Sequence, residues 1–161
     1  MEQDIYDTTV NYILENQNKF YRLAFSYVKN KEAALDVVQN AICKALEKCY
    51  DIKNPNALKT WFYRILVNES LKSINSTKSE SLADQLPEQP YTESQYDKDH
   101  DVYNAVQKLK EPMKTVIVLH FYEDMTLKQI SEITGINLNT VKSRLYSALN
   151  KIEKELKEAV I

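Results

Sequence analysis

The stretch Thr126–Lys151, TLKQISEITGINLNTVKSRLYSALNK, places two helical patterns on either side of the chain's only glycine. Thr126 followed by Gln129 predicts a capping box, in which the threonine oxygen accepts a free amide of the first turn and the glutamine reaches back to the cap. Leu127, Ile130 and Ile133 then share one face, and Gly135 stands where a chain leaving a helix needs positive φ. Asn137 can cap a second helix whose apolar stripe runs Val141, Leu145, Ala148 or Leu149, Ile152 and Leu156. The pattern is a helix-turn-helix.

The opposite face of the second helix carries Asn139, Thr140, Lys142, Ser143, Arg144, Tyr146 and Ser147, with no acid between Glu132 and Glu153. The major groove of B-DNA admits one helix, where Asn, Arg and Lys can hydrogen-bond base edges while hydroxyls and lysines hold phosphates. A plain helical hairpin with a solvated basic face is the competing reading. Agreement of cap, turn glycine, apolar registry and acid-free face weighs against it.

Outward from this stretch, Val102, Ala105, Val106 and Leu109 predict a helix ending before Pro112. Another follows from about Met113 to Tyr122, with Val116, Ile117 and Leu119 to Phe121 inward, so residues 102–161 form a four-helix domain. Before it, residues 76–101 carry seven acids against two lysines and few apolar residues, the composition of an extended, flexible acidic linker. An acidic run can also mimic nucleic acid inside a partner's basic channel, although most such runs are simply solvated.

Residues 1–75 read as a second all-α domain. Asp4 to Lys29 hold one or two helices, and Asn30 can cap the next. In that helix Leu35, Val38, Ile42, Ala45 or Leu46 and Cys49 form the inward stripe, and Asp36, Gln39, Asn40 and Lys44 form a polar strip on the outer side. A third helix starts near Pro55 or Ala57, with Leu58, Phe62, Ile65 and Leu66 inward. The fold class is therefore all-α, with a small three- to four-helix domain and a four-helix domain joined by the linker.

The 161 residues are 43% hydrophobic, enough for ordinary cores, and the net charge of −2 confines any nucleic-acid contact to local patches. Cys43 and Cys49 sit roughly 240° apart around one helix, so they cannot bridge locally, and no metal-ligand spacing occurs. No apolar run approaches the roughly 20 residues of a membrane span, and the N-terminus lacks a basic signal start. The expectation is a cytoplasmic protein without membrane insertion, metal or cofactor. No Gly-rich phosphate loop, paired histidines or Ser-His or Cys-His set suggests an enzyme.

The segment EDMTLKQISEITGINLNTVKSRLYSALNKI, Glu123–Ile152, strongly resembles the C-terminal region of sigma-70 family factors, most closely their extracytoplasmic function branch. The resemblance implies that this helix-turn-helix, region 4, reads the minus-35 promoter element. Residues 20–49, FYRLAFSYVKNKEAALDVVQNAICKALEKC, look like the sigma segment that docks on the clamp coiled coil of RNA polymerase's largest subunit. The family pattern there is D-x-V-Q-E. Asp36 and Gln39 match it, Asn40 stands in place of the usual Glu, and the implied core-polymerase surface is Asp36, Gln39, Asn40 and Lys44.

Residues 54–74, NPNALKTWFYRILVNESLKSI, resemble the region that reads and opens the minus-10 element, with Trp61, Tyr63, Arg64, Ile65 and Asn68 on the matching positions. Unpaired bases stack on aromatic rings while cations hold the backbone. The implied minus-10 surface is Tyr50, Lys53, Asn54, Lys59, Trp61, Tyr63, Arg64, Asn68 and Lys72, with the loop Tyr50–Asn56 as pocket for a flipped base. Phe62, and equally Trp61, can instead belong to the core. Where the family has an acid and an arginine cluster, this chain has Lys72 followed by Ser73-Ile-Asn-Ser-Thr-Lys78.

The resemblance spans about residues 16–75 and 102–156. It implies an initiation subunit, monomeric when free, that partners core RNA polymerase, promoter DNA and a membrane-bound anti-sigma factor. The chain looks most like a Firmicute-type, sigma-V-like branch concerned with envelope stress. A stand-alone helix-turn-helix regulator and a helical adaptor that binds protein alone are the rival readings. The regulator would bind duplex DNA tightly without polymerase.

Overall fold

The computed structural model describes residues 4–80 and 97–159, which form helices and connecting turns with no strand among them. The chain divides into two compact units, Met1–Glu88 and Gln89–Ile161.

In the first unit, helix α1 (Ile5–Val28) is capped by Asp4 and bent at Asn16, whose φ of −123° and ψ of 15° interrupt the helical run. The Asn16 amide donates to the Tyr12 carbonyl at 2.8 Å, so a side chain supplies a bond at the bend. The one-or-two-helix reading of this segment thus resolves as one bent element. Helix α2 (Lys31–Lys48) begins at Asn30, whose side chain accepts the Ala33 amide at 3.0 Å.

The buried face of α2 is Ala34, Val37, Val38, Ala41 and Ala45, not the stripe expected through Leu35, which is 44% exposed. The physical reason is that α2 packs against both α1 and α3, so its buried arc is broad, and the small side chains of Ala34, Ala41 and Ala45 allow close approach. Val38, Ala45 and Cys49 are inward as expected, while Ile42 and Leu46 are half-buried. Two short 3-10 turns, Cys49–Asp51 and Pro55–Ala57, lead into α3 (Leu58–Glu80).

Phe20 of α1 meets Phe62 of α3 at a centroid distance of 4.3 Å, Tyr63 packs edge-on to Phe20 at 5.6 Å, and Tyr12 approaches Phe62 at 6.1 Å. Phe20, Phe62 and Tyr63 are each at most 1% exposed. Such pairs add about 0.5–1.5 kcal/mol beyond area burial.

The second unit contains α4 (Asp97–Gln107), α5 (Glu111–Ile117), α6 (Leu127–Thr134) and α7 (Leu138–Ala159). The linker expected at 76–101 is narrower than its composition suggests, because α3 continues through Glu80 and α4 begins at Asp97. Polar residues are compatible with helix where they extend an existing one, since propagation is cheaper than nucleation. The extended character expected for 81–96 lies outside the described residues.

Between α5 and α6 the segment Val118–Tyr122 winds as a π turn, with the Glu123 amide bonded to the Val118 carbonyl at 3.1 Å. This wider winding turns Phe121 outward, 53% exposed, where a regular helix was expected to place it inside. His120 Nδ1–H donates to the Met125 carbonyl at 2.8 Å and closes the exit.

The turn between α6 and α7 is held from both sides. Thr126 and Gln129 form the reciprocal capping box at 3.1 and 2.9 Å. Ser131 Oγ donates to the Ile136 carbonyl at 2.5 Å, and the Ile136 amide donates to Thr134 Oγ1 at 3.3 Å. Gly135 takes φ of 74°, and a Cβ there would meet nothing within 4 Å. A Gly135→Ala substitution therefore carries a backbone cost without a clash. Thermal unfolding should show a loss of about 1–2 kcal/mol for Gly135→Ala and a smaller loss for Gly135→Asn.

Candidate nucleic-acid interface

On α7, Asn137 Oδ1 accepts the Asn139 amide at 2.7 Å and starts the helix, while Val141, Leu145 and Ala148 lie in the core. That registry turns Asn139, Lys142, Ser143, Tyr146 and Ser147 to solvent and leaves Thr140 and Arg144 half-buried at its edges. Tyr146 is 64% exposed. The seven residues expected to face DNA thus share one side of a helix whose first turn holds no acid. Hydrogen-bonding groups near that end, followed by hydroxyls and cations, match the order in which an inserted helix meets bases and then backbone.

In the first unit the two polar surfaces occupy neighbouring helices. Asp36, Gln39 and Asn40 are exposed on α2. Lys44, the last member of that strip, is half-buried because its ammonium pairs with the carboxylate of Glu69 on α3. Glu69 is 7% exposed, so this charge is largely withdrawn from water. Sequence spacing gives no sign of the pair, which joins residues distant in the chain.

Of the expected strand-reading residues, Tyr50, Lys53, Asn54, Arg64, Asn68 and Lys72 are exposed, and Lys59 and Trp61 are half-buried. Asn54 has a structural duty as well: its side chain accepts the Asn56 amide at 3.0 Å and caps the 3-10 turn that starts α3. Tyr63 is the exception. It is 1% exposed and packed against Phe20, so it cannot offer a stacking face to DNA in this conformation. A helix repeat places adjacent residues about 100° apart, and burying both Phe62 and Tyr63 leaves Trp61 and Arg64 to flank the outer face.

The loop has two neighbours that the motifs did not single out. Tyr6, near the start of α1, lies almost parallel to Tyr50, with planes 15° apart and centroids 6.4 Å apart. The Tyr50 phenol is held above its ordinary pKa first by partial desolvation and then by the negative charge of Asp4. Tyr103 of α4 is likewise raised, chiefly by burial. Cys49 is buried and Cys43 exposed, both as free thiols. Among the described residues no group of three or more His, Cys, Asp or Glu is placed to hold a metal, and no helix is long and apolar enough to cross a membrane.

Among the described residues the fold is all-helical, with a basic face on a helix-turn-helix in one unit and exposed aromatics and cations on the other. Comparison with known proteins narrows the class. Residues 12–80 match the model of sigma-70 region 2, and residues 99–152 match sigma-70 region 4. The chain is 42% identical over 149 residues to the RNA polymerase sigma factor SigV of Bacillus subtilis strain 168, covering 91% of this chain and 90% of that one. It is 26% identical to the extracytoplasmic function sigma factor SigW of the same organism, covering 88% and 85%.

Among solved structures it is similar in fold to the sigma factor RpoE bound to the anti-sigma factor NepR from Bartonella quintana. That match has a TM-score of 0.76 at 23% identity and covers 91% of this chain and 95% of that one. It is also similar to CnrH in complex with the cytosolic domain of CnrY, with a TM-score of 0.71 at 18% identity, covering 93% and 88%. The chain belongs to the sigma-70 family of RNA polymerase sigma factors, in its extracytoplasmic function branch.

The Lys44–Glu69 pair sets a stability test within the site. Lys44→Ala leaves the Glu69 carboxylate buried without its cation. Urea unfolding of the first unit should show a loss of about 1–3 kcal/mol. The Lys44→Ala/Glu69→Ala double variant should recover part of it.

Proposed function

We propose that the protein binds core RNA polymerase through Asp36, Gln39, Asn40 and Lys44 of α2 and directs it to promoters that it reads at two places. Residues 102–161 read the minus-35 element through Asn139, Thr140, Lys142, Ser143, Arg144, Tyr146 and Ser147. Residues 1–75 open and hold the minus-10 element through Tyr50, Lys53, Asn54, Lys59, Trp61, Arg64, Asn68 and Lys72, with Tyr63 reassigned to the core. The protein makes and breaks no covalent bond; polymerase does the chemistry.

The observation that carries this reading is the separation of the exposed α2 strip and the acid-free α7 face onto two folded units of one chain. Tethering two modest contacts to the same polymerase raises the effective concentration of each for its DNA. A net charge of −2 fits this division, since neither surface has to hold DNA strongly alone. The residues between α3 and α4 act as the acidic connector that lets both units engage together.

The regulatory partner is a membrane-bound anti-sigma factor that covers the same two surfaces, and the promoters served are those of envelope stress. Support for the partner comes from the fold relative RpoE, solved with the anti-sigma factor NepR. Support for the stress class comes from the sequence likeness to the sigma-V-like branch.

Transcription in vitro from cognate genomic DNA, with core polymerase and with or without this protein, tests the proposal. Specific start sites should appear only with the protein and vanish with Asp36→Ala/Gln39→Ala. Tight duplex binding by the chain alone, without polymerase-dependent transcripts, would instead identify a stand-alone regulator. On a mapped promoter, Lys142→Ala should weaken holoenzyme binding severalfold and lower the slope of log affinity against log salt by about 1, as loss of one phosphate contact requires.

A further inference from the structure

Tyr6 and Tyr50 are large rings held side by side in water, 38% and 64% exposed. One carboxylate lies beside both. Asp4 accepts the Tyr6 amide at 3.3 Å as it caps α1, and its carboxylate lies near enough to the Tyr50 phenol to raise its pKa. The hydrophobic core does not require this pair, since Phe20, Phe62 and Tyr63 form the buried aromatic cluster without it. Asp4 and Tyr6 also precede residue 12, where the match to the region 2 model starts.

The pair stands at the loop proposed above to receive an unpaired base. Its planes are 15° apart and its centroids 6.4 Å apart, the geometry of an offset-stacked pair whose outer faces remain open. Near-parallel rings at that spacing offer faces on which a third flat ring can stack. Asp4 and Asp51 disfavour phosphate at the rings themselves, which leaves the backbone to exposed Lys53 and the base to the aromatic faces.

We propose that Tyr6, with Tyr50, forms a stacking clamp for an unpaired base of the melted minus-10 strand. The inference rests on the reading of Tyr50–Asn56 as the strand-capturing loop. It gives the first turn of α1 a part in DNA recognition.

The test uses holoenzyme assembled from core RNA polymerase and the full chain, on a promoter fragment mapped by the transcription experiment. Permanganate reactivity of unpaired thymines reports opening, and 2-aminopurine placed at successive minus-10 positions of a pre-melted fragment reports stacking through quenching. Tyr6→Ala should reduce opening about tenfold and restore emission at one position, with core binding and thermal unfolding tracking the parent protein. Tyr6→Phe should recover both losses because the ring, not the hydroxyl, stacks. Tyr6→Leu, which keeps apolar bulk without a π face, should not.

Wild-type opening by Tyr6→Ala overturns the clamp, and so does faster opening, which would make Tyr6 a cover over the loop. If Tyr50→Ala and Arg64→Ala lose opening while Tyr6→Ala does not, only the clamp falls. If all three open like the parent, the strand-capturing assignment falls with it.

Discussion

The contact between Phe20 and Phe62, with Tyr63 set edge-on beside it, fixes the rotation of α3 on α1, and the first unit's surface follows from that rotation. Each buried ring contributes about 1.5–3 kcal/mol through removal from water, far more than any exposed side chain on α3 can oppose. Once Phe62, Tyr63 and Leu66 are inside, Arg64, Asn68 and Lys72 have no position but the outside. The polar surface is thus a by-product of hydrophobic registry. The same rule operates on α7, where Val141, Leu145 and Ala148 set which residues remain for DNA.

Much of this could be read from the sequence because it is local. A capping box spans four residues, a left-handed glycine declares itself by type, and a helical stripe repeats within two turns. The helix-turn-helix, the Asn30 cap and the outward strip Asp36, Gln39 and Asn40 all have this character. What escaped has a different origin. The stripe through Leu35 was displaced because α2 contacts two helices, so its buried face is wider than a single-sided pattern implies.

Tyr63 is buried at a motif-matched position because a motif match states which residue stands at a position, whereas burial depends on Phe20 in another helix. The π turn at Val118–Tyr122 has no compositional mark, and its outward placement of Phe121 follows from one extra residue in the winding. Lys44–Glu69 and Tyr6–Tyr50 join residues far apart in sequence. Such tertiary pairings carry no period for a one-dimensional reading to detect.

The ion pair has a further consequence. Lys44 closes the polar strip of α2, and Glu69 follows Asn68, a member of the outward face of α3. A cross-brace therefore connects the two helices at the point where one surface ends and the other begins. Neither helix can roll about its own axis without dragging the other or stranding a carboxylate in a nearly dry site. The angle between the two surfaces thus hangs on one pair: substitutions can retune either face residue by residue, but re-aiming one relative to the other requires both ends of the brace to change together.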